Sequence, residues 1–519
     1  MSASEVLIVG AGPTGLMLGC ELARRGVEFR LLEAGDRLFP GSRGKGLQPR
    51  TLELFDDLGI VEEIYEAGMR LPTMAAWENG RKARQWDMIT RPGPTPDVPH
   101  AEPWLLPQWR TQEILHRRLQ QLGGQVEFGT RLTTFTQTPQ GVTAQLRTAA
   151  GTEETAHAAY LVAADGGRST VRTALGTPFT GSTVDPNPMM VADLEVTGLD
   201  RDNWHLWHLE QGTLALCPLP GTAFQLFADL GGAEPDTDPG AVRRLVDSWT
   251  GLHAGTVHWA SVFRARTAMA EQFRTGRVFL AGDAAHIHSP AGAQGLNTGI
   301  QDAYNLGWKL HRVLRHGAPD ALLDSYQAER LPVAANVLGL STRLHQGDAP
   351  GRKMTEQRGT ETHQLHLGYP DSPLTHETRT ALPPTALRAG DRAPDAPLKS
   401  PDGTMVSLFD LFRGTHFTLL ALGVGFPLAG EGDAPRKSAT EVRVVRIGGA
   451  DADVHDGGGH AQRAYGTGLF LIRPDGYVGL ATEDLGEVDA YLAGRYGAAP
   501  LQAPLQHRLQ PQLQHQGEQ

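Results

Sequence analysis

The sequence is poor in the features that mark several classes of protein. Its 519 residues include only two cysteines, Cys20 and Cys217, and no CxxC pair, which excludes a disulfide scaffold and thiolate zinc sites. The longest apolar stretch, 417–430, contains glycines and a proline and is too short for a membrane span. No basic leader precedes the first apolar run, so we expect a cytoplasmic protein without a membrane partner.

Positive charge is also scarce. Acidic residues outnumber basic ones, 58 to 47, whereas a nucleic-acid-binding protein normally carries a basic surface. No nucleic-acid partner is therefore predicted. Only six of the basic residues are lysines, which we interpret as coding bias without chemical meaning.

The N-terminal segment carries a dinucleotide-binding fingerprint. The apolar strand 6–9 leads into the G-x-G-x-x-G sequence Gly10-Ala11-Gly12-Pro13-Thr14-Gly15. Its glycines allow a tight turn, close approach of a pyrophosphate and close packing of the following helix, whose N-terminus favours an anion. Glu33 follows the next strand, 27–32. Its carboxylate would accept hydrogen bonds from ribose hydroxyls and repel a 2′-phosphate, which predicts tightly held FAD or NAD rather than NADP.

Two later segments place an aspartate at the end of an apolar strand. The first continues as Asp165-Gly166-Gly167-Arg168, and the second as Gly282-Asp283-Ala284-Ala285-His286, followed by Pro290, Gly295 and Asn297. Together with the N-terminal fingerprint, they resemble the three signatures of the class A FAD-dependent aromatic hydroxylases. That family includes phenol hydroxylase, aromatic polyketide hydroxylases and the rifamycin-type antibiotic monooxygenases. The resemblance through these motifs covers about residues 4–335.

The resemblance assigns FAD contacts to individual positions. It implies that Asp283 and Gln108 lie near the ribityl chain, Arg43 and Gly282 near the diphosphate, and Pro290 near the isoalloxazine ring. The start of the helix from residue 296 would face the N1/C2=O edge of the flavin, where its dipole favours negative charge. The predicted cofactor-binding set is Gly10, Gly12, Pro13, Thr14, Gly15, Glu33, Arg43, Gln108, Asp165, Gly282, Asp283, Pro290, Gly295, Leu296 and Asn297.

The predicted fold is α/β, with a Rossmann-like FAD-binding domain of the GR2 type, an inserted, mainly β substrate domain and a C-terminal thioredoxin-like domain. The FAD-binding domain is assigned to 1–175 plus 265–385 and the substrate domain to 176–264. Residues 72–107, rich in proline and tryptophan, are predicted to be irregular and to contribute to the substrate side.

The C-terminal unit, 387–500, resembles the thioredoxin-like extension of phenol-hydroxylase-type members. It contains no cysteine, so redox chemistry is not expected and a packing or dimerisation role is preferred. The tail 501–519, rich in glutamine, proline and histidine, is predicted to be disordered.

The resemblance also implies a reaction. FAD stays bound, NADPH or NADH reduces it and leaves, and the reduced flavin forms with O₂ a C4a-hydroperoxide that hydroxylates an aromatic ring of phenolic or polyketide type. The cofactor carries this chemistry, so no catalytic side chain is assigned. We therefore expect an NAD(P)H-consuming monooxygenase whose partners are a small aromatic molecule and O₂, as a monomer or a homodimer.

Three alternatives share the same motifs. A Baeyer–Villiger oxygenase would insert oxygen beside a ketone, a flavin reductase would release an unoxygenated product, and a flavin-binding protein would stabilise or carry a ligand without oxygenating it. A flavin-dependent halogenase is disfavoured, because its Gly-Trp-x-Trp-x-Ile-Pro motif is missing.

Four aromatic residues of the mainly β unit are the substrate-pocket candidates: Trp204, Trp207, Phe224 and Phe227. The base that would deprotonate a phenolic substrate is not identified by the sequence. His286 and His288 suggest a metal at first sight, but they are two residues apart with no carboxylate or cysteine cluster nearby. They are predicted to support the loop over the flavin, and no metal is expected.

Overall fold

The computed structural model describes residues 2–290, 292–346, 358–423, 442–449 and 452–497. The tail predicted to be disordered, 501–519, lies outside the described residues. Mixed helices and sheets make up the described chain, as the α/β prediction requires.

An eight-stranded sheet forms the base of the site. Ser2–Val9 lies at its centre, parallel to Phe29–Glu33 on one side and to Glu153–Ala163 on the other. Val6, Leu7 and Ile8 are at most 1% exposed, because a central parallel strand is covered on both faces. The other strands are Val126–Phe128, Arg131–Thr138, Gly141–Arg147, Arg274–Thr275 and Val278–Leu280.

The helix Gly295–His316 is the central helix of the fold. It packs against the N-terminal helix Pro13–Ala23, and its first residues border the cavity described below. The sequence predicts one apolar face for it, but every residue from Asn297 to Arg312 is buried. Its polar side chains are therefore held in hydrogen-bonded and ionic networks, as buried polar groups require.

A seven-stranded sheet stands over the cavity. Its strands, in spatial order, are His253–Phe263, Met189–Thr197, Ala223–Asp229, Gly212–Pro218, Asn203–Leu209, Thr73–Glu78 and Arg81–Trp86. The last two correct the prediction that 72–107 is irregular. Arg81–Trp86 is an edge strand that is mostly exposed. Its residues are mostly polar, so the sequence lacks the apolar–polar alternation that identifies a half-buried strand.

A five-stranded sheet forms the C-terminal part, in the order His376–Glu377, Val478–Thr482, Gly468–Ile472, Phe417–Leu422 and Val442–Ile447. The helix Leu485–Tyr496 covers it through Val488, Tyr491 and Leu492. Trp308 of the central helix packs into the same apolar cluster as Phe417 and Tyr496, which joins this sheet to the N-terminal part.

The remaining elements connect these layers. Three-stranded sheets are formed by Gly46–Leu47, Trp104–Leu105 and Met69–Arg70 and by Phe179–Thr183, Arg266–Ala270 and His286–Ile287, and a hairpin by Pro397–Lys399 and Met405–Ser407. The other α-helices are Pro49–Asp57, Val61–Ala67, Gln108–Gln121, Thr170–Leu175, Pro239–Thr250, Asp324–Gln346, Leu408–Phe412 and His460–Tyr465.

A buried ionic cluster ties the C-terminal sheet to two long helices. Glu329 accepts hydrogen bonds from Lys309 at 2.6 Å and from Arg473 at 2.6 and 2.9 Å. Arg473 also pairs with Asp475, which accepts the indole N–H of Trp308 at 3.0 Å. Burial alone would raise the pKa of Glu329, but Arg473 and Lys309 hold it far below its usual range. These four charged residues, Lys309, Glu329, Arg473 and Asp475, are called the Glu329 cluster below.

Candidate active site

A cavity of about 1180 Å³ lies between the N-terminal sheet and the seven-stranded sheet. One end is lined by the glycine turn at Gly10–Thr14 and by Glu33. The other end is lined by side chains of the seven-stranded sheet, among them Trp204 and Phe227. The fingerprint and the mainly β unit therefore share one continuous space.

The glycines of the fingerprint have different roles. Gly10 has a φ of +100°, and a Cβ on it would lie 2.4 Å from the carbonyl oxygen of Ala164. A Cβ on Gly15 would lie 1.9 Å from the carbonyl oxygen of Gly10. By contrast, a Cβ on Gly12 would meet no protein atom within 4 Å. Gly10 and Gly15 are thus required by packing, whereas Gly12 leaves an open approach from the cavity to its backbone, which fits the phosphates of a dinucleotide.

Glu33 is positioned at the edge of this turn. Its two carboxylate oxygens accept hydrogen bonds from the backbone N–H groups of Ala11, at 3.0 Å, and Gly35, at 2.9 Å. The same side chain lines the cavity. This geometry fixes the carboxylate where the fingerprint places a ribose.

Two further carboxyl groups border the cavity. Asp165 accepts the backbone N–H of Thr170 at 2.8 Å with one oxygen, while its other oxygen is buried without a partner among the described residues. Burial raises the pKa of Asp165, whereas the side chain of Asp283 is exposed to the cavity. Both residues line the cavity.

The other predicted cofactor residues divide into two groups. Those that line the cavity are Arg43, Gln108, Pro290, Gly295 and Leu296, together with Arg168. Gly15, Gly282 and Asn297 lie behind its wall. Asn297 is buried, and its amide binds the backbone of Gln48, Gly46 and Ala293 at 2.7 to 2.9 Å. The Asn297 side chain therefore fixes the loops that frame the cavity.

Asp302 forms a buried network behind the same wall. One carboxylate oxygen contacts His286 Nε2 at 2.6 Å and accepts the backbone N–H of Gly282 at 3.0 Å. The other oxygen accepts the guanidinium of Arg330 at 2.7 Å. His286 in turn contacts His288 at 2.9 Å, and His288 lines the cavity. The two histidines therefore support the loop that precedes Pro290.

This network predicts a pH dependence of stability. Burial opposes ionisation of Asp302, but His286 and Arg330 lower its pKa from 3.8 to about 2. Because the folded-state pKa lies below the unfolded one, the stabilisation is present above pH 4 and disappears as pH falls towards 2. It amounts to roughly 2 kcal/mol. We expect the difference in free energy of unfolding between the wild type and Asp302→Asn to shrink by that amount between pH 5 and pH 2 in urea titrations; a constant difference would contradict the assignment.

The register of the seven-stranded sheet decides which aromatic residues reach the cavity. Side chains alternate between the two faces of a strand. Trp204 and Phe227 line the cavity. Trp207 and Phe224 lie on the opposite face, in the apolar cluster under the helix Pro239–Thr250, where Trp207 stacks on Trp77 at 5.5 Å. The prediction that Trp207 and Phe224 form the pocket is therefore wrong.

The structure adds cavity residues that the sequence did not single out. Lys45 and Gln225 line it next to Trp204, and Arg358 lines it from the segment that follows 347–357. Lys45 belongs to no periodic pattern or motif, and the small number of lysines in the chain was interpreted as coding bias. The useful signal was its position between two glycines, directly after Arg43 and Gly44.

The described residues lack two features that would point to other functions. Within these ranges, no helix combines the length and the apolar composition needed to cross a bilayer. The same part of the chain holds no group of three or more histidine, cysteine or acidic residues arranged to bind a metal ion.

Comparison with known proteins agrees with the geometry. The profile of the FAD binding domain family matches residues 3–341, and that of the aromatic-ring hydroxylase C-terminal family matches 386–499. A flavin-dependent monooxygenase of Mycobacteroides abscessus is 42% identical over 94% of this chain and 99% of its own. Pentachlorophenol 4-monooxygenase of Sphingobium chlorophenolicum is 32% identical over 92% of this chain and 93% of its own.

A solved structure extends the comparison to the whole fold. The ternary complex of aklavinone-11 hydroxylase with FAD and aklavinone superposes with a TM-score of 0.78 and 28% identity, covering 95% of this chain and 99% of that one. The resemblance predicted from the three motifs is thereby confirmed. The chain belongs to the FAD-binding, aromatic-ring hydroxylase family of flavin-dependent monooxygenases.

Proposed function

We propose that this protein is an NAD(P)H-consuming FAD monooxygenase that hydroxylates an aromatic substrate of phenolic or polyketide type. The observation that carries this proposal is the single cavity that joins the glycine turn to the wall with Trp204 and Phe227. Its volume of about 1180 Å³ exceeds that of a typical pocket for one ligand, ~300–1,000 Å³. It therefore has room for a cofactor and a substrate side by side.

The residues around the cavity have distinct tasks in this proposal. Gly12, Arg43 and Asp283 would hold the FAD, which when bound supplies electron transfer and the activation of O₂. The backbone N–H groups at Gly295 and Leu296 begin the central helix, so their dipoles stabilise negative charge in the adjoining space. The apolar wall orients the aromatic ring and excludes water.

The compared relatives indicate a substrate that contains a ring, but they do not indicate which compound it is. The names of the compared proteins refer to pentachlorophenol, which has one ring, and to aklavinone. The cavity of this chain has an apolar wall that would accept either a phenol or a larger fused-ring compound. NADPH rather than NADH, a cytoplasmic location and a monomeric or homodimeric state remain predictions.

We also propose that residues 387–500 form a thioredoxin-like domain with a packing role. It has no cysteine, and the Glu329 cluster joins it to the two long helices through Arg473 and Asp475. We further propose that residues 1–175 plus 265–385 form the FAD-binding domain and residues 176–264 the substrate domain. The strands Thr73–Glu78 and Arg81–Trp86 are added to the substrate domain, because they belong to the seven-stranded sheet.

The test is NADPH or NADH oxidation by the flavin-loaded protein with a panel of phenols and polycyclic aromatic compounds, with the products weighed by mass spectrometry. We expect one class of compound to accelerate NAD(P)H loss and to gain one oxygen atom on the ring. Bound flavin without any stimulated oxidation would support a flavin-binding protein. An unoxygenated product would indicate a reductase, and oxygen inserted beside a ketone a Baeyer–Villiger enzyme.

Asp283 offers a prediction at the level of cofactor binding. Asp283→Ala removes a carboxyl group that faces the cavity, and loss of a hydrogen bond to a charged group weakens binding by about 10- to 100-fold. The measurement is FAD content after gel filtration together with a Kd from flavin fluorescence. Asp283→Asn, which keeps a hydrogen-bonding carbonyl, should lose less. Full flavin occupancy in Asp283→Ala would refute the assigned role.

A further inference from the structure

Lys45 extends from the FAD-binding part to the inner face of the seven-stranded sheet. Its Nζ lies 4.3 Å from the centre of the Trp204 ring and donates a hydrogen bond to the side-chain oxygen of Gln225. All three residues line the cavity. The lysine therefore belongs to the wall of the substrate end.

Gln225 is oriented by its own contacts. Its Nε2 donates to the carbonyl oxygen of Ser42 at 2.6 Å and lies 3.4 Å from an oxygen of Asp193. Because both contacts engage the amide nitrogen, the amide oxygen must face Lys45. Gln225 thus stands between the lysine and the buried Asp193 and accepts one N–H of the Lys45 amine.

The charges around Lys45 do not neutralise it by direct contact. Among the described residues it makes no ion pair within 4.0 Å. The ionisable groups that act on it are Cys217 and Asp193, which favour the ammonium form, and Arg358, which opposes it. Burial is the strongest effect and lowers the pKa of Lys45, while burial raises that of Asp193.

Apolar side chains pack around Trp204 in this part of the wall. Leu71, Met74, Leu206 and Phe227 line the same part of the cavity. A partly buried amine in such a wall is stabilised as a cation chiefly by an anion next to it. The missing partner must therefore come from the ligand that fills the cavity.

We propose that Lys45 binds the hydroxyl group of an aromatic substrate and accepts its proton, so that the substrate is held as a phenolate or enolate. The neutral amine takes the proton, the O–H bond breaks, an N–H bond forms, and the electron pair stays on oxygen. An ammonium–phenolate pair results, and the ring becomes more electron-rich. This inference rests on the proposed function and names the acidic hydroxyl as the substrate feature that the site selects.

The experiment follows the ionisation of alizarin, a fused three-ring phenol whose colour changes from yellow to red-violet when it loses a proton. FAD-loaded protein is titrated with alizarin over a range of pH, in buffer with a chelator and without NAD(P)H. Lys45→Met and Lys45→Gln remove the amine. Lys82→Met is the matched control, because Lys82 lies in a strand of the same sheet, pairs with Asp200 and does not line the cavity.

We expect the wild type and Lys82→Met to shift alizarin ionisation to lower pH, and both Lys45 variants to bind the ionised dye about 10- to 100-fold more weakly with the same FAD content. Equal shifts in all proteins, or no shift in the wild type, would overturn the inference. Loss of FAD from both folded Lys45 variants would instead assign the lysine to the cofactor. Since no turnover is involved, a protein that never oxygenates its ligand can still show the Lys45-dependent shift.

Discussion

The Arg473→Met variant is expected to lose about 3–5 kcal/mol of its free energy of unfolding, because removing one member of a buried ionic network leaves the others uncompensated. Arg473 is 2% exposed and donates two hydrogen bonds to Glu329. Without it, Glu329 keeps Lys309 as its only cationic partner among the described residues. The measurement is urea unfolding at neutral pH.

An exposed pair serves as the control for this prediction. Arg147 and Glu153 lie 3.1 Å apart, with side chains 58% and 71% exposed. Arg147→Met should change the stability by only ~0–1 kcal/mol, because solvent screens such pairs. If Arg473→Met and Arg147→Met had similar effects, the Glu329 cluster would not hold the C-terminal sheet in place.

The second large effect is expected for Gly15→Ala, which should abolish retention of FAD. The added Cβ would lie 1.9 Å from the carbonyl oxygen of Gly10, and a backbone atom cannot move aside as a flexible side chain can. The helix Pro13–Ala23 must therefore shift away from the turn, at a cost of about 1–3 kcal/mol or more. Flavin absorbance per protein after gel filtration and the melting temperature measure the two consequences.

Gly494 provides the comparison within the same protein. It lies in the helix Leu485–Tyr496, and a Cβ there would meet no atom within 4 Å. Gly494→Ala should therefore raise stability slightly, by about 0.5–1 kcal/mol, with full FAD content. A Gly15→Ala protein that retained its flavin would show that the turn tolerates a side chain at this position.

Local patterns predicted the elements that carry strong periodicity or a motif. The central helix, expected to begin at residue 296, spans Gly295–His316. It could be predicted because the regular spacing of its apolar residues is a local signal. The edge strand Arg81–Trp86 was missed because it is stabilised by pairing with Thr73–Glu78 rather than by burial of its own side chains. Pairing between distant segments leaves little trace in one sequence.

The candidate site shows the same division. The glycine turn and Glu33 could be predicted from the sequence, because their roles depend on residues that are close to them in the chain. The aromatic candidates required the strand register, which places Trp204 and Phe227 on one face and Trp207 and Phe224 on the other. Lys45 depends on Gln225, 180 positions away, and no local pattern connects them.

The central helix has a consequence for the evolution and engineering of the chain. Its first residues border the cavity, whereas Asn305, Trp308 and Lys309 bind the C-terminal sheet and the Glu329 cluster. The C-terminal unit is therefore not an interchangeable module. A chimaera that took this unit from a relative would also need the matching residues of the helices Gly295–His316 and Asp324–Gln346. Both helices precede the apparent domain boundary. Recombination should therefore favour junctions before residue 295 over junctions at that boundary.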